Sequence, residues 1–133
     1  MADLYANYAE LSAVKVEGQD YQVRFEDNGS DILILSPHAG SIESGSTELI
    51  QAITDDMDKW NWYLFEGMQS SNNSELHITS TNFDEPRALN MLSKASRSVS
   101  IHGKSGDIAD TAIGGIDAPL RNTIWKNLRK KAL

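Results

Sequence analysis

Residues 31–48 read DILILSPHAGSIESGSTE, and no other stretch constrains the fold as much. Four consecutive aliphatics, Ile32-Leu33-Ile34-Leu35, form the pattern of a strand buried on both faces. The run stops at Ser36-Pro37, and His38, Gly40, Glu43 and Gly45 come next, before a helix-like segment. Polar residues just past such a strand stand at the carboxyl edge of a sheet, where open α/β folds keep their sites. The chain has 133 residues, which predicts a single domain over residues 1–133. A domain of this size buries roughly two-thirds of its unfolded surface, enough for one ordinary core.

The rest of the chain supports strands alternating with amphipathic helices. Tyr5, Tyr8 and Leu11 can share a helical face in a lead-in segment. Residues 21–25 alternate apolar and polar, so they predict a half-exposed strand, and Asn28-Gly29 marks the turn after it. Leu49, Ile50, Ile53 and Met57 give a helix over 46–57 one apolar face. Trp62-Tyr63-Leu64-Phe65 predicts a second buried strand, and residues 76–79 a short alternating one. Asp84 can cap a helix with Pro86 in its first turn and an apolar stripe at Ala88, Leu89, Met91, Leu92 and Ala95. Residues 98–102 alternate again and end in His102-Gly103, and residues 111–115 predict a short strand or turn. Asp117 can cap a last helix with Pro119 in its first turn. This order predicts an α/β fold with a mixed, mainly parallel sheet flanked by helices.

Composition excludes several functions. There is no cysteine, hence no disulfide, thiol nucleophile or cysteine metal site. No apolar run approaches the roughly 20 residues of a membrane span, and the N-terminus lacks a secretory pattern, so a protein made in the cytoplasm without a membrane partner is expected. The net charge is −7. All nineteen acidic side chains and seven of the twelve basic ones fall before residue 121. So acidic a body argues against nucleic acid as a partner. The basic residues after 120 fit a helix C-terminus, a solvated face, or a surface attractive to a polyanion.

Two of the three histidines share one setting. His38 lies past the end of one strand and His102 ends another; if those strands are parallel neighbours, both imidazoles emerge at one edge. Glu43 lies five residues beyond His38, across a glycine-bearing turn that can fold its carboxylate back. Two histidines and a glutamate with an open fourth position are a catalytic zinc ligand set. Spacing alone leaves open the alternative of three unconnected loop residues. Residues 40–47 also carry the Gly-x4-Gly frame of a phosphate loop, but Ser46 stands where the lysine is needed and Glu43 would repel a phosphate. Ser36, Ser41, Ser44 and Ser46 surround His38, yet none sits in a nucleophile elbow. His77, between Leu76 and Ile78, fits a half-exposed strand histidine.

With these residues in view, SPHAGSIESGSTELI resembles the metal-site motif of phage poly-γ-glutamate hydrolases and their bacterial relatives. The resemblance continues through YLFEG, LHITSTNFDEP, MLSK, SIHG and GGIDAPLR, in order, over roughly residues 30–128. It implies a compact, zinc carboxypeptidase-like fold, with zinc held by His38, Glu43 and His102. It also implies cleavage of anionic poly-γ-glutamate or a γ-glutamyl peptide by attack of zinc-bound water on the γ-amide. His77 and residues 82–86 would lie near the site, and Asn82 replaces a histidine expected in some members. Substrate-binding candidates are His77, Arg87, Lys104 and Arg121. Family members continue for several tens of residues, where an arginine for the substrate carboxylate and a glutamate general base are expected. The resemblance therefore implies a truncated fold with its base beyond Leu133, or a second chain completing it. The alternative is a non-catalytic metal- or ligand-binding domain or fragment. A phage enzyme of this kind would meet a host capsule polymer outside the cell after lysis.

Overall fold

The computed structural model describes residues 2–131. It divides into two compact units, one ending at Gly103 and one beginning at Lys104.

The first unit holds one open sheet built from β1 (Tyr21–Glu26), β2 (Ile32–Gly40), β3 (Asn61–Gly67) and β4 (Arg97–Ser100), in the order β1-β3-β2-β4. β2 runs parallel to both β3 and β4, and β1 pairs antiparallel with β3. Helices α1 (Tyr8–Ser12), α2 (Ser46–Ile53) and α3 (Pro86–Lys94) flank it. The fold is thus mixed α/β with a mainly parallel sheet. Its core reflects the strand period of two. Leu33 and Leu35 of β2 join Tyr63 and Phe65 of β3 on one face, covered by Leu11 of α1 and by Ala88 and Met91 of α3. Ile34 joins Trp62 and Leu64 on the other face, covered by Ile50 of α2. Both faces are covered, which is why the two central strands are continuously apolar.

β2 does not stop at Ser36-Pro37 as the sequence suggests; it runs to Gly40 with a register shift between Ser36 and Ala39. Leu64 pairs with Ser36 and Glu66 with Ala39, so β2 carries one extra residue there. A bulge is where a strand tolerates proline, which has no N–H for the ladder. The extra residue also reverses the facing of the residues beyond it. Ala39 packs with Ile34, on the face opposite to Leu33 and Leu35. His38 is thereby turned to the face where Ile78 is buried, and a ring nitrogen hydrogen-bonds the Ile78 carbonyl.

Three other expectations are corrected. The helix over 46–57 ends at Ile53, because the Thr54 hydroxyl bonds the Ile50 carbonyl and accepts from the Met57 N–H. Asp55, Asp56 and Met57 then take positive φ. Residues 76–79 are not a strand. A 3-10 helix (Asn73–Leu76) leads into an extended piece whose backbone is bonded by side chains, His38 at Ile78 and Asp3 at Thr79. The cap of α3 is Glu85, which accepts from Ala88 N–H, while Asp84 accepts from Tyr8 N–H.

Glu66 is a buried carboxylate held by Arg24, Gln22 and Thr47. Burial pushes its pKa up, but these hydrogen bonds, led by Arg24, outweigh burial and hold it below its ordinary 4.5. A depressed carboxylate adds stability above its unfolded pKa and loses it as pH falls through the folded one. Glu66→Gln is therefore expected to cost about 1–2 kcal/mol at pH 7, a range set by charge-assisted bonds to a half-exposed arginine. Urea unfolding should show the two proteins converging as pH drops below 4.5. A gap that is constant with pH would contradict an ionised Glu66.

The second unit contains α4 (Ala118–Lys131), capped at Leu120 N–H by Asp117. Residues 111–115 form no strand. Among the described residues no helix is long and apolar enough to cross a membrane.

Candidate metal centre

His38 and His102 come from parallel neighbours. β2 and β4 pair from Ile32↔Arg97 to Leu35↔Ser100, and Ile101 N–H continues the pairing at the Leu35 carbonyl. His38 therefore lies three residues past the last pair on one strand and His102 two past it on the other. Glu43 returns between them. Its N–H bonds the His38 carbonyl, its carbonyl accepts from the Ser46 hydroxyl, and its Oε2 accepts from Gly103 N–H at 2.7 Å. Glycine at 103 permits this approach, since a Cβ there would stand 3.1 Å from the Glu43 Cβ.

Donor atoms of three residues face one another, Glu43 turning a different oxygen to each histidine. His38 Nδ1 is 3.2 Å from Glu43 Oε1 and 3.2 Å from His102 Nδ1, and His102 Nδ1 is 3.5 Å from Glu43 Oε2. Ligands placed about 2.0–2.2 Å from a tetrahedral zinc stand about 3.3–3.6 Å apart. The three residues thus stand at separations close to those that such an ion needs, with both Glu43 oxygens turned to the cluster.

The protonation pattern fits a cation as well. His38 Nε2 lies 2.6 Å from the Ile78 carbonyl, which can only accept, so Nε2 carries the hydrogen and Nδ1 a lone pair. Burial pushes the His38 pKa down, helped by the adjacent His77 and His102 and opposed by the Ile78 carbonyl and Glu43. A neutral imidazole is the ligating form. His102 Nε2 meets the hydroxyls of Ser100 at 3.0 Å and Ser80 at 3.4 Å, leaving Nδ1 for the centre. Two imidazole nitrogens and a carboxylate this close repel one another unless a cation or proton lies between them.

His77 is the third histidine of the cluster, and the alternation that set it apart from Leu76 and Ile78 brings it here. Its ring stacks on His38 with centroids 3.9 Å apart. His38, Glu43 and His77 also offer ligand atoms all within 4.8 Å of one another. Its Nε2, however, is 4.0 Å from Glu43 Oε1, farther than any edge of the His38–Glu43–His102 triangle. Asp3, which no sequence signal singled out, accepts from His77 Nδ1 at 2.7 Å and from Thr79 N–H at 2.6 Å. Burial raises the Asp3 pKa, but the bonds from His77 and Thr79 outweigh it and hold the carboxyl at about 2.

The family profile of poly-gamma-glutamate hydrolases matches residues 5–133. The chain belongs to the poly-gamma-glutamate hydrolase family. It is 38% identical over 130 residues to the UPF0714 protein YmaC of Bacillus subtilis strain 168, covering 97% of this chain and 54% of that protein. It is 43% identical over 116 residues to the SPbeta prophage-derived UPF0714 protein YoqZ of the same strain, covering 87% of this chain and 41% of that one. The chain thus spans about half the length of these relatives. The solved structure of a bacteriophage poly-gamma-glutamate hydrolase matches with a TM-score of 0.93 at 40% identity, over 99% of this chain and 64% of that one. The zinc-free apo structure of YndL matches with a TM-score of 0.91 at 36% identity, over 97% and 62%.

In this poly-gamma-glutamate hydrolase family member the basic candidates are placed differently from the histidines. Arg87 is engaged by Glu17 at 2.7 Å and Glu85 at 2.5 Å. Lys104 and Arg121 belong to the second unit, where Lys104 pairs with Asp110 at 2.7 Å and Arg121 donates to the Gly115 carbonyl at 2.8 Å.

Proposed function

We propose that this chain carries the zinc-holding part of an amidohydrolase that degrades poly-γ-glutamate. The observation that carries this reading is the meeting of His38 Nδ1, His102 Nδ1 and the Glu43 carboxylate at 3.2–3.5 Å, separations close to those between zinc ligands. His38, Glu43 and His102 would hold a zinc ion, which would supply Lewis acidity toward an amide carbonyl and an attacking water. The chain's own residues orient that chemistry. The Ile78 carbonyl fixes the His38 tautomer, and Gly103 N–H holds Glu43 Oε2. His77, Arg87, Lys104 and Arg121 are the proposed contacts to the anionic substrate, and of these His77 lies against the ligand cluster.

The test combines zinc titration with chain-length analysis of poly-γ-glutamate. One zinc per chain and polymer shortening that stops on chelation are expected. Shortening that survives both chelation and His38→Ala would overturn the metalloenzyme reading. Zinc binding without turnover would favour a metal-binding domain that lacks the general base. A net charge of −7 must be overcome by a polyanionic substrate, so the reading also requires a locally positive approach. Turnover at subsaturating polymer should fall several-fold between low and high salt, as the short Debye length at high salt predicts. A salt-indifferent rate would count against charge-guided binding.

A further inference from the structure

The N-terminal segment supplies a side chain to the candidate metal centre from 74 residues away in sequence. We propose that Asp3 is a positioning residue that fixes His77 with Nδ1 protonated, so that the bare Nε2 accepts a hydrogen bond from the group occupying the open side of the zinc site. This deepens the proposed function and rests on it for the identity of that group, a water or the substrate amide.

Asp3 makes two bonds at once. A carboxylate without a proton only accepts, and Asp3 gives one oxygen to His77 Nδ1 and the other to Thr79 N–H. The backbone bond anchors the carboxylate, so it is not free to follow the imidazole. His77 Nδ1 must then carry its hydrogen, and in the neutral ring Nε2 is left with the lone pair. A carboxylate in this relation to an imidazole sets both tautomer and ring orientation. The ring is fixed on its other side by stacking on His38, at an interplanar angle of 24°. His38 is itself bonded to the next residue's carbonyl, at Ile78. Residues 77–79 are thus held at three successive points, by Asp3, His38 and Asp3 again.

His77 Nε2 lies on the side of the ligand cluster. It is 4.0 Å from Glu43 Oε1, the oxygen that also faces His38. That is beyond the 3.2–3.5 Å edges of the ligand triangle and beyond a hydrogen bond. It would suit an acceptor one atom outside the ligand shell, within reach of a group on an ion that His38, Glu43 and His102 would hold with room for a fourth ligand. His77 would then touch the bound group, while Asp3 acts through His77.

The test reads the imidazole directly. Long-range 15N–1H spectra of the zinc-loaded protein are expected to show His77 with a protonated Nδ1 and an Nε2 that is neither protonated nor metal-bound. In Asp3→Ala the His77 signals should move to a mixture of tautomers, while those of His38 and His102 stay metal-bound. Asp3→Asn, which keeps the size of the side chain and one of its two bonds, should give an intermediate mixture. If Asp3→Ala does not fold, that intermediate variant decides alone. Zinc affinity supplies the second readout: His102→Ala should lower it by about 100-fold or more, while His77→Ala should lower it clearly less, since partners outside the ligand shell are worth about 10–100-fold and a ligand more. A loss in His77→Ala equal to that in His102→Ala would make His77 a ligand and overturn the proposal. Unmoved His77 signals in both Asp3 variants would overturn it too. These readouts need zinc but no turnover, so an inactive chain would count against the proposed function without deciding the role of Asp3.

Discussion

His38→Ala is expected to lower zinc affinity by at least about 100-fold and to remove any chelator-sensitive depolymerisation. Outer-shell partners of a metal ligand are worth 10–100-fold, and His38 is proposed as a ligand itself, at the corner shared by both 3.2 Å edges of the triangle. Its loss leaves Glu43 and His102 as two ligands, too few for a catalytic site. The substitution will also cost stability. His38 is 2% exposed, and its removal leaves the Ile78 carbonyl without a partner, worth about 1–3 kcal/mol. The two effects are separable with Ile50→Ala, which opens a hole on the opposite face of the sheet at a cost of about 2–5 kcal/mol. Zinc titration well below the unfolding temperature should show normal affinity in that control and none in His38→Ala. Equal losses in the two variants would mean that affinity merely tracks stability.

The parts of this molecule that were legible in sequence are those set by local pattern. Ile32-Leu33-Ile34-Leu35 and Trp62-Tyr63-Leu64-Phe65 are the two central strands, because only a strand covered on both faces tolerates such runs. The placing of His38 and His102 beyond neighbouring strands came from the same reading, and the parallel pairing of β2 and β4 supplies the neighbourhood it needed. Features that depend on contacts between distant residues were not legible. The bulge at Pro37 decides which face His38 occupies, yet proline in sequence looks like a strand end. Residues 76–79 alternate as a strand does, but their backbone groups are taken by the side chains of His38 and Asp3. Glu85 outcompetes Asp84 as the cap of α3 because Asp84 is drawn to Tyr8 N–H. Asp3 itself had no signal at all, since an aspartate near a chain end is ordinary until its partner is known.

Gly40→Ala should show how tightly the sheet and the proposed metal site are joined, at an expected cost of about 2–4 kcal/mol. Two penalties combine. Gly40 has φ +64, a left-handed conformation that costs an alanine about 1–2 kcal/mol. The added Cβ would also stand 2.7 Å from the Gly67 carbonyl oxygen and 3.0 Å from the Gly67 nitrogen, and neither backbone atom can swing aside as a side chain would. Relief requires the ends of β2 and β3 to part, and Gly40 and Gly67 are paired there. Gly29→Ala is the matched control, with φ +75 and nothing within 4 Å of the new Cβ, so it should show the conformational cost alone. The excess of Gly40→Ala over Gly29→Ala in urea unfolding therefore measures the clash; equal costs would mean that the strands move apart freely. The same strain should reach the ligands. Ser41 N–H bonds the Gly67 carbonyl that the new Cβ would displace, and Glu43 lies two residues further on, anchored to the His38 carbonyl. A shift at residue 40 must be absorbed by that short span or passed to the Glu43 carboxylate. Zinc affinity in Gly40→Ala should fall while that in Gly29→Ala stays at the wild-type value.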